Sequence, residues 1–306
     1  MGGSVDRLLA QMALPPSYAA IVERVHGPVA QRLAEVRAAK GKPIVVGVCG
    51  TQASGKTTLS AFLKLLLIEA GLKAETLAID DLYLSKPARL DLAAQVHPLF
   101  LTRGPPGTHD VALGHAVLHV LTGATPPGAQ RMPQFDKAAD TLAPEGEWPL
   151  IEGAVDVVLF EGWCVGARPQ PEAALAEPIN DLERERDGDG VWRRYANQRL
   201  ASDYAALFAR IDVQLMLKAP DFAAVFGWRM LQETKLGDRL RAERVDMTGR
   251  KLMTAEDLRF FLAHYERLTT WILAEMPERA DILITLERDH AVSGVDLRGR
   301  RPGSAC

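Results

Sequence analysis

The stretch "VGVCGTQASGKTTL" at residues 46–59 decides how the rest of the chain is interpreted. It contains the pattern G-x-x-x-x-G-K-[ST], from Gly50 to Thr57, between a valine-rich run and a helical pattern. Glycines let the backbone turn tightly so that successive N–H groups converge on phosphate oxygens, and the positive end of the following helix points to the same place. In this motif the lysine, here Lys56, reaches the β- and γ-phosphates, and the hydroxyl of Thr57 is a magnesium ligand.

The stretch therefore predicts a site for a nucleoside triphosphate with Mg²⁺. The residues expected to contact the nucleotide all belong to the turn or to the start of the helix. They are Gly50, Thr51, Gln52, Ala53, Ser54, Gly55, Lys56, Thr57 and Thr58.

Short apolar runs alternate with helical patterns along most of the chain. Strands are predicted at 43–49, 74–79, 155–160, 211–217 and 281–286. Helices are predicted at 57–70, 110–122, 195–209, 220–244 and 254–275. A succession of strand, helix and strand indicates a parallel βαβ unit with a right-handed crossover. The sequence thus predicts an α/β fold, a doubly wound parallel sheet with helices on both faces.

Composition and charge argue against several classes of protein. The 306 residues are 47% hydrophobic and 25% charged, which is ordinary for a globular protein, and the formal net charge is −3. A slightly acidic chain does not favour binding of nucleic acid or a membrane by bulk electrostatics. The three cysteines lack the spacing of a disulfide framework or zinc site, and neither a signal peptide nor an apolar run of about 18 residues is present. We therefore expect a cytoplasmic protein with no nucleic-acid or membrane partner.

Acidic residues follow two of the predicted strands. Asp80 and Asp81 come directly after "AETLAI" (74–79), and Glu161 follows "VDVVLF" (155–160). Open parallel sheets bind ligands at the carboxyl ends of their strands. Side chains along a strand alternate between its two faces, so only one aspartate of the pair is expected to point into the cleft. That aspartate can take a proton from a hydroxyl that attacks the γ-phosphate. Glu161 is placed to support the magnesium ion. The structural alternative for the aspartate pair is that Asp80 caps a turn and Asp81 is simply exposed.

Charged residues also cluster in two later segments. Arginines on a mobile lid can neutralise charge on a transferring phosphoryl group. The helix–loop pattern at 228–244 carries Arg229, Arg239, Arg241 and Arg244. We expect Arg229 to be catalytic, with a plain solvated helix surface as the alternative for all four. The run "DLERERDGDG" (181–190) is expected to be a solvated face or loop rather than a site.

Several motifs together give the chain a resemblance to a known family. They are the turn at 46–59, "AIDDLYLS" (78–85), "RGPPGTHD" (103–110), "MPQFDKA" (132–138), "VLFEGWCVG" (158–166) and "WRMLQE" (228–233). In these stretches the chain resembles the P-loop small-molecule kinases related to uridine kinase, pantothenate kinase and phosphoribulokinase. Within that group it is most similar to the plant-type D-glycerate 3-kinases and their bacterial relatives. The resemblance covers about residues 43–290.

The resemblance implies a fold, a reaction and a domain organisation. It implies a P-loop kinase sheet with a helical lid, use of ATP and Mg²⁺, and phosphorylation of D-glycerate to 3-phosphoglycerate. The expected parts are an N-terminal helical extension (1–42), a kinase domain (43–290, with the lid at about 228–250) and a flexible tail (291–306). The motif at 78–85 implies Asp80 as the base. The expected catalytic residues are Asp80, Lys56 and Arg229, and the expected metal-binding residues are Thr57, Glu161 and Asp80.

A small hydroxy acid as acceptor needs a cation for its carboxylate and polar groups for its hydroxyls. An arginine fork matches a carboxylate in two-point fashion, and the loop at 103–110 supplies Arg103. The residues expected to bind the acceptor are Asp80, Tyr83, Arg103, Thr108, His109 and Lys137. Three structural alternatives remain: helix capping by His109 and its neighbour Asp110, bracing of its own loop by Arg103, and a solvated Lys137.

Two other functions remain open from the sequence. The nearer one is the same chemistry on a nucleoside, pantothenate or a sugar phosphate. The farther one is a non-catalytic, regulatory ATP-binding protein. Aromatic residues make up only 6% of the chain, which does not favour stacking of a nucleoside acceptor. The presence of both Asp80 and Glu161 argues against a protein that only binds the nucleotide.

Overall fold

The valine-rich run before the glycine turn forms the central strand of the fold. The computed structural model describes residues 2–123, 129–137, 139–242 and 253–298. The strands are β1 Ile44–Gly50, β2 Ala74–Ala78, β3 Ala129–Arg131, β4 Phe135–Asp136, β5 Thr141–Leu142, β6 Leu150–Glu152, β7 Val157–Gly162, β8 Val213–Lys218, β9 Ile282–Leu286 and β10 Val292–Leu297. The helices are α1 Gly2–Gln11, α2 Ala19–Ile21, α3 Gly27–Lys40, α4 Lys56–Glu69, α5 Lys86–Gln95, α6 Val111–Leu121, α7 Asp181–Arg186, α8 Val191–Ala201, α9 Asp203–Phe208, α10 Phe222–Ala242 and α11 Ala255–Arg279.

Within the described chain, six strands form one sheet in the order β10-β9-β8-β1-β7-β2. The strand β1 is parallel to both of its neighbours, with Val46 opposite Leu159 of β7 and opposite Val213 of β8. The pairs β2–β7 and β8–β9 are also parallel, whereas β10 is antiparallel to β9. Because the chain order reverses across β1, the carboxyl end of β1 is the switch point at which such sheets bind ligands.

Each face of the sheet carries an apolar core, because side chains along β1 alternate between the two faces. Val46 and Val48 face a core that includes residues of α3, α4 and α10. Val45 and Cys49 face a second core that includes residues of α6, α9 and α11. Strands buried on both faces read as continuous apolar runs, which is why they could be found in the sequence. The predicted α/β sheet with helices on both faces is confirmed.

Segments near both ends of the described chain pack onto the fold. Leu33 of α3 is fully buried in the core behind β1, and Leu9 and Val22 pack with Phe62 of α4. At the other end, residues 292–297 form β10, which corrects the expectation of a flexible tail for these residues. Pairing with β10 shields β9 from being an open edge strand. The division into extension, domain and tail stays a prediction, and residues 299–306 lie outside the described chain.

Several predicted helices have different boundaries in the structure. The predicted helix 254–275 continues to Arg279. The predicted helix 195–209 begins earlier, at Val191, and is split into α8 and α9 at Ser202. The helix α10 is continuous to Ala242, and the rest of the predicted lid, with Arg244, lies outside the described residues. No described helix combines the length and apolar character that crossing a bilayer requires.

The prediction that residues 181–190 form a solvated face or loop is wrong for two carboxylates of this run, which are buried. Glu183 is 0% exposed and accepts hydrogen bonds from Nε and Nη2 of Arg267, both at 2.7 Å. Asp187 is 1% exposed and pairs with Arg193 at 2.9 Å. Buried charges require such partners. Arg267 lies on α11, far along the chain, so the pairing could not be read from the run itself.

Candidate active site

The glycine turn after β1 leads directly into α4 and presents polar groups on one side. Gly55, immediately before α4, has a φ of 88°, a left-handed conformation that glycine adopts without steric cost, and Ala53 has a φ of 61°. Turns of this kind orient successive N–H groups toward an anion, and the N-terminus of the 14-residue α4 adds its own. The hydroxyl of Ser54 and the amide of Gln52 are buried without a hydrogen-bond partner among the described residues. The turn therefore keeps polar groups available for a phosphate chain.

Thr57 and Glu161 meet at the start of α4. The hydroxyl Oγ1 of Thr57 donates to Oε1 of Glu161 at 2.8 Å. Glu161 ends β7 beside β1 and is 5% exposed, and its second oxygen, Oε2, is buried with no partner among the described residues. A threonine hydroxyl next to a carboxylate with a free oxygen fits the preference of Mg²⁺ for oxygen ligands. Among described residues no group of three or more His, Cys, Asp or Glu could hold an ion unaided, so phosphate oxygens or water would complete the shell.

Asp80 lies at the carboxyl end of β2, in the helical turn Ile79–Leu82. Its Oδ1 accepts a hydrogen bond from the Tyr83 hydroxyl at 2.8 Å, and its Oδ2 accepts one from Nζ of Lys137 at 2.7 Å. Burial alone would raise the pKa of Asp80, but Lys137, Lys56 and Tyr83 together hold it below its ordinary value. The side chain is therefore a carboxylate at neutral pH, with each of its two oxygens accepting a hydrogen bond.

The neighbouring Asp81 points elsewhere, but strand alternation is not the reason, because both aspartates lie in the helical turn that follows β2. Its Oδ1 accepts a hydrogen bond from the backbone N–H of Phe135 at 3.0 Å. Burial raises the pKa of Asp81. Asp81 thus anchors the β4 strand beside the cleft, and only Asp80 of the pair lines it.

The turn and Asp80 line one open cavity of about 420 Å³. The predicted residues that line it are Gln52, Ala53, Gly55, Lys56, Thr57, Thr58, Asp80, Tyr83, Arg103, Lys137 and Arg229. Gly50, Thr51 and Ser54 belong to the turn but do not reach the cavity surface, and Glu161 lies behind Thr57. The structure therefore brings the phosphate-binding turn and the candidate base to the same space.

A chain of alternating charges borders the cavity opposite the turn. Asp140 accepts hydrogen bonds from Nη1 of Arg103 and from Nη2 of Arg89, both at 2.6 Å. Although partial burial opposes it, these two arginines hold the pKa of Asp140 below its ordinary value. Arg89 is 1% exposed, so only Arg103 of the two reaches the cavity. With Lys137, the side chain of Arg103 places positive charge at this end.

Comparison with known proteins gives two sequence relatives. The chloroplastic D-glycerate 3-kinase of Arabidopsis thaliana is 30% identical over 230 residues, which are 73% of this chain and 46% of the plant protein. The uncharacterized kinase mug58 of Schizosaccharomyces pombe is 29% identical over 234 residues, which are 74% of this chain and 79% of the yeast protein. The match thus spans less than half of the plant relative and most of the yeast one.

A solved structure shares the fold. The D-glycerate 3-kinase from Cryptococcus neoformans var. grubii serotype A matches with a TM-score of 0.69 and 24% identity, over 90% of this chain and 99% of that one. No protein-family model matches the chain. The chain is therefore similar in sequence to these two kinases and shares the fold of the Cryptococcus protein. This confirms the resemblance that the sequence motifs indicate.

Two predicted acceptor contacts lie away from the cavity that Asp80 lines. Thr108 is 0% exposed, and its hydroxyl donates to the Pro105 carbonyl at 2.8 Å and accepts from the Gly104 N–H at 2.9 Å. His109 is 4% exposed, with its ring stacked on Tyr83 at 4.7 Å and its Nδ1 2.6 Å from the Tyr204 hydroxyl. The structure thus corrects their placement: Thr108 shapes its own loop, and His109 supports Tyr83 from behind.

Arg229 reaches the cavity, but its guanidinium already has partners on the same helix. Its Nη1 donates to Gln232 at 2.6 Å and its Nη2 to Glu233 at 2.7 Å. The catalytic role of Arg229 stays a prediction. To bind a phosphate, its guanidinium would have to leave Gln232 and Glu233.

The sequence reasoning missed the wall that α11 contributes. Tyr265 and Phe261 line the cavity, and the Tyr265 hydroxyl donates to the carbonyl of Arg103 at 2.8 Å. Trp163 also lines it, and its Nε1 donates to the carbonyl of Gly104 at 3.1 Å. Gly104 lets the two segments approach this closely, because its φ of 124° suits glycine and an added Cβ would clash with the Tyr265 ring and hydroxyl.

Proposed function

We propose that this protein transfers the γ-phosphate of ATP, in the presence of Mg²⁺, to a hydroxyl group of a small hydroxy acid, and that the reaction is D-glycerate to 3-phosphoglycerate. The observation that carries the proposal is that the phosphate-binding turn and the carboxylate of Asp80 line the same cavity. The names of the Arabidopsis and Cryptococcus relatives, both D-glycerate 3-kinases, support the choice of acceptor.

Residues of the chain supply positioning and charge neutralisation, which account for most of the catalysis of phosphoryl transfer. Lys56 and the N–H groups of the turn hold the phosphates. Thr57 and Glu161 would hold Mg²⁺, which neutralises charge on the β- and γ-phosphates when bound. Asp80 orients the acceptor hydroxyl in line with the γ-phosphorus and takes its proton as the new O–P bond forms and the bond from the γ-phosphorus to the leaving ADP breaks.

The charges around Asp80 favour a small anionic acceptor. Lys137 is 60% exposed at its side chain, so it can leave Asp80 and bind an incoming carboxylate. Arg103 keeps two of its donors near Asp140 and the Lys137 carbonyl, and its exposed edge can bind the same anion. A carboxylate bound between these cations places a hydroxyl two or three bonds away, close to Asp80.

The cavity is larger than glycerate requires, so the same chemistry on another acceptor is the second candidate. A nucleoside would find Tyr265, Phe261 and Trp163 as aromatic neighbours in the cavity. These rings are the specific observation that keeps a nucleoside acceptor under consideration.

One assay separates the candidates. ADP release from ATP and Mg²⁺ is measured with D-glycerate, uridine, pantothenate or ribulose 5-phosphate, each at the same concentration. We expect D-glycerate alone to stimulate release, with L-glycerate as a matched control for the geometry of the site. Stimulation by another acceptor would reassign the substrate. No stimulation by any acceptor, with ATP still bound, would favour a non-catalytic nucleotide-binding protein.

The remaining expectations of the sequence stay predictions. They concern a cytoplasmic location and the lack of nucleic-acid and membrane partners.

A further inference from the structure

A second cavity, of about 330 Å³, lies on the other side of the phosphate-binding turn. Ala53, Gly55 and Thr58 line both cavities, whereas Lys56 and Thr57 line only the one that contains Asp80. A triphosphate whose γ end points toward Asp80 therefore directs its other end toward the second cavity. The question is what the walls of that cavity are built to bind.

One wall is a stacked aromatic pair that is tied to the turn. The rings of Trp228 and His290 lie 4.1 Å apart at an interplanar angle of 26°. Nε2 of His290 donates to the carbonyl of Ala53 at 2.9 Å, and Nε1 of Trp228 donates to the carbonyl of Arg288 at 2.7 Å. His290 has a φ of 67°, a costly conformation for a residue other than glycine. Trp228 is 3% exposed, so the pair gives the cavity a small flat aromatic surface, a shape on which nucleobases stack.

The opposite wall comes from the N-terminal helical segment, before the kinase domain begins. Leu14, Ile21 and Val25 contribute apolar surface to the cavity. His26 also lines it, is 3% exposed, and its Nδ1 has no hydrogen-bond partner among the described residues. Its ring packs between Tyr18 and Phe62, with centroids 5.7 Å and 5.5 Å away.

A buried imidazole without a partner costs free energy in the unliganded protein, so it needs a reason. Burial lowers the pKa of His26 to about 4, so the ring is neutral at physiological pH and offers one donor and one acceptor nitrogen. A purine or pyrimidine edge presents donors and acceptors that such a ring can match.

We propose that the N-terminal helical segment completes the nucleotide site, with the base of the triphosphate seated between the Trp228–His290 pair and the segment's apolar wall, and with His26 as the residue that recognises the base edge. This inference rests on the proposed use of a nucleoside triphosphate. It adds residues from outside the predicted kinase domain to the site, and it makes the segment a determinant of nucleotide affinity.

The test compares ATP with inorganic tripolyphosphate, which carries the phosphate chain but no base. Dissociation constants of both are measured with Mg²⁺ on the full-length chain, for the wild type, Ile21→Trp and His26→Phe. The first variant fills the cavity, and the second keeps an aromatic ring between Tyr18 and Phe62 but removes its polar edge. Gln31→Ala is the matched control, since Gln31 is exposed on α3 of the same segment and its amide donates to Glu35.

We expect Ile21→Trp to weaken ATP binding by about tenfold or more and His26→Phe by about fivefold, with tripolyphosphate binding changed by less than about twofold. Gln31→Ala should change neither constant. Equal weakening of both ligands would show damage to the turn instead and would overturn the proposal. So would unchanged ATP binding in both variants, or a wild type that binds ATP no more tightly than tripolyphosphate.

These binding measurements contain no acceptor, so their outcome does not depend on whether the proposed reaction takes place. A wild type that binds ATP through its base yet transfers no phosphate to D-glycerate would overturn the proposed function and leave the base site standing. A wild type that phosphorylates D-glycerate but shows no ATP advantage over tripolyphosphate would do the reverse.

Discussion

The hydroxyl of Thr57 donates to Oε1 of Glu161 at 2.8 Å, and this bond joins the first turn of α4 to the end of β7. Among the described residues, the Glu161 side chain accepts this hydrogen bond and no other, because Oε2 has no partner there. A hydroxyl and a carboxylate held in this way can share one hydrated Mg²⁺.

Glu161→Gln should therefore raise the Mg²⁺ concentration that gives half-maximal activity, by about tenfold, because the amide keeps the size of the side chain but removes its charge. The measurement is ADP release as a function of Mg²⁺ at saturating ATP and acceptor. Glu152→Gln, at an exposed position on β6, is the control. An unchanged Mg²⁺ requirement in Glu161→Gln would remove Glu161 from the metal site.

Asp80→Asn should lower kcat by a factor on the order of 10² to 10⁴, since the amide cannot take the proton of the acceptor hydroxyl. ATP binding should stay the same, because the phosphates bind to the turn. Single-turnover ADP release and ATP titration measure the two quantities. Asp91→Asn, at an exposed position on α5, should behave as wild type. Near-normal turnover in Asp80→Asn would contradict its role as the base.

Lys137→Met should shift the acid limb of the pH–activity profile to higher pH. Lys137 is among the groups that hold the pKa of Asp80 below its ordinary value, so its removal raises that pKa. At a given low pH a smaller fraction of Asp80 is then deprotonated. The profile of kcat/KM against pH measures the shift, and KM for the acceptor should rise as well. An acid limb at the wild-type position would show that Lys137 does not act on Asp80.

Arg267→Met should lower the free energy of unfolding by about 3–5 kcal/mol, because it leaves the carboxylate of Glu183 buried and unpaired. Urea denaturation provides the value. Arg184→Ala, which removes an exposed pair with Asp181, should cost less than about 1 kcal/mol. The double variant Arg267→Met/Glu183→Leu should recover part of the loss. A small effect of the single substitution would mean that water reaches Glu183.

Gly104→Ala should weaken acceptor binding and lower stability by about 1–3 kcal/mol. The new methyl group would meet Tyr265 in the cavity wall, and a φ of 124° strains any residue with a Cβ. Acceptor KM and thermal denaturation report the two effects. In contrast, Gly146→Ala adds a methyl group with no atom within 4 Å and should leave both unchanged.

Local patterns predicted the sheet, the turn and the strand-end acids, because each depends on residues that are close in sequence. Buried parallel strands appear as valine-rich runs, and the P-loop motif is contiguous. The strand β10 was missed because only Val292 of its residues is even partly buried, so no alternation marks it.

Contacts between distant segments could not be predicted. Tyr265 reaches the carbonyl of Arg103 from a helix that begins about 150 residues later in the chain. Thr108 and His109 were assigned to the acceptor because their side chains suit it chemically. Their burial depends on how the loop folds over Tyr204 and Tyr83, which no local pattern reveals.

The two hydrogen bonds that Asp80 accepts also affect the rate at which ATP would be hydrolysed without an acceptor. Water is always present and is a competitor for any group that activates a hydroxyl. With Tyr83 and Lys137 bound to its two oxygens, the carboxylate is a poor proton acceptor for a stray water molecule. An anionic substrate that draws Lys137 away would free the base at the moment when a productive alcohol is beside it, so futile hydrolysis of ATP would be slow in the resting protein.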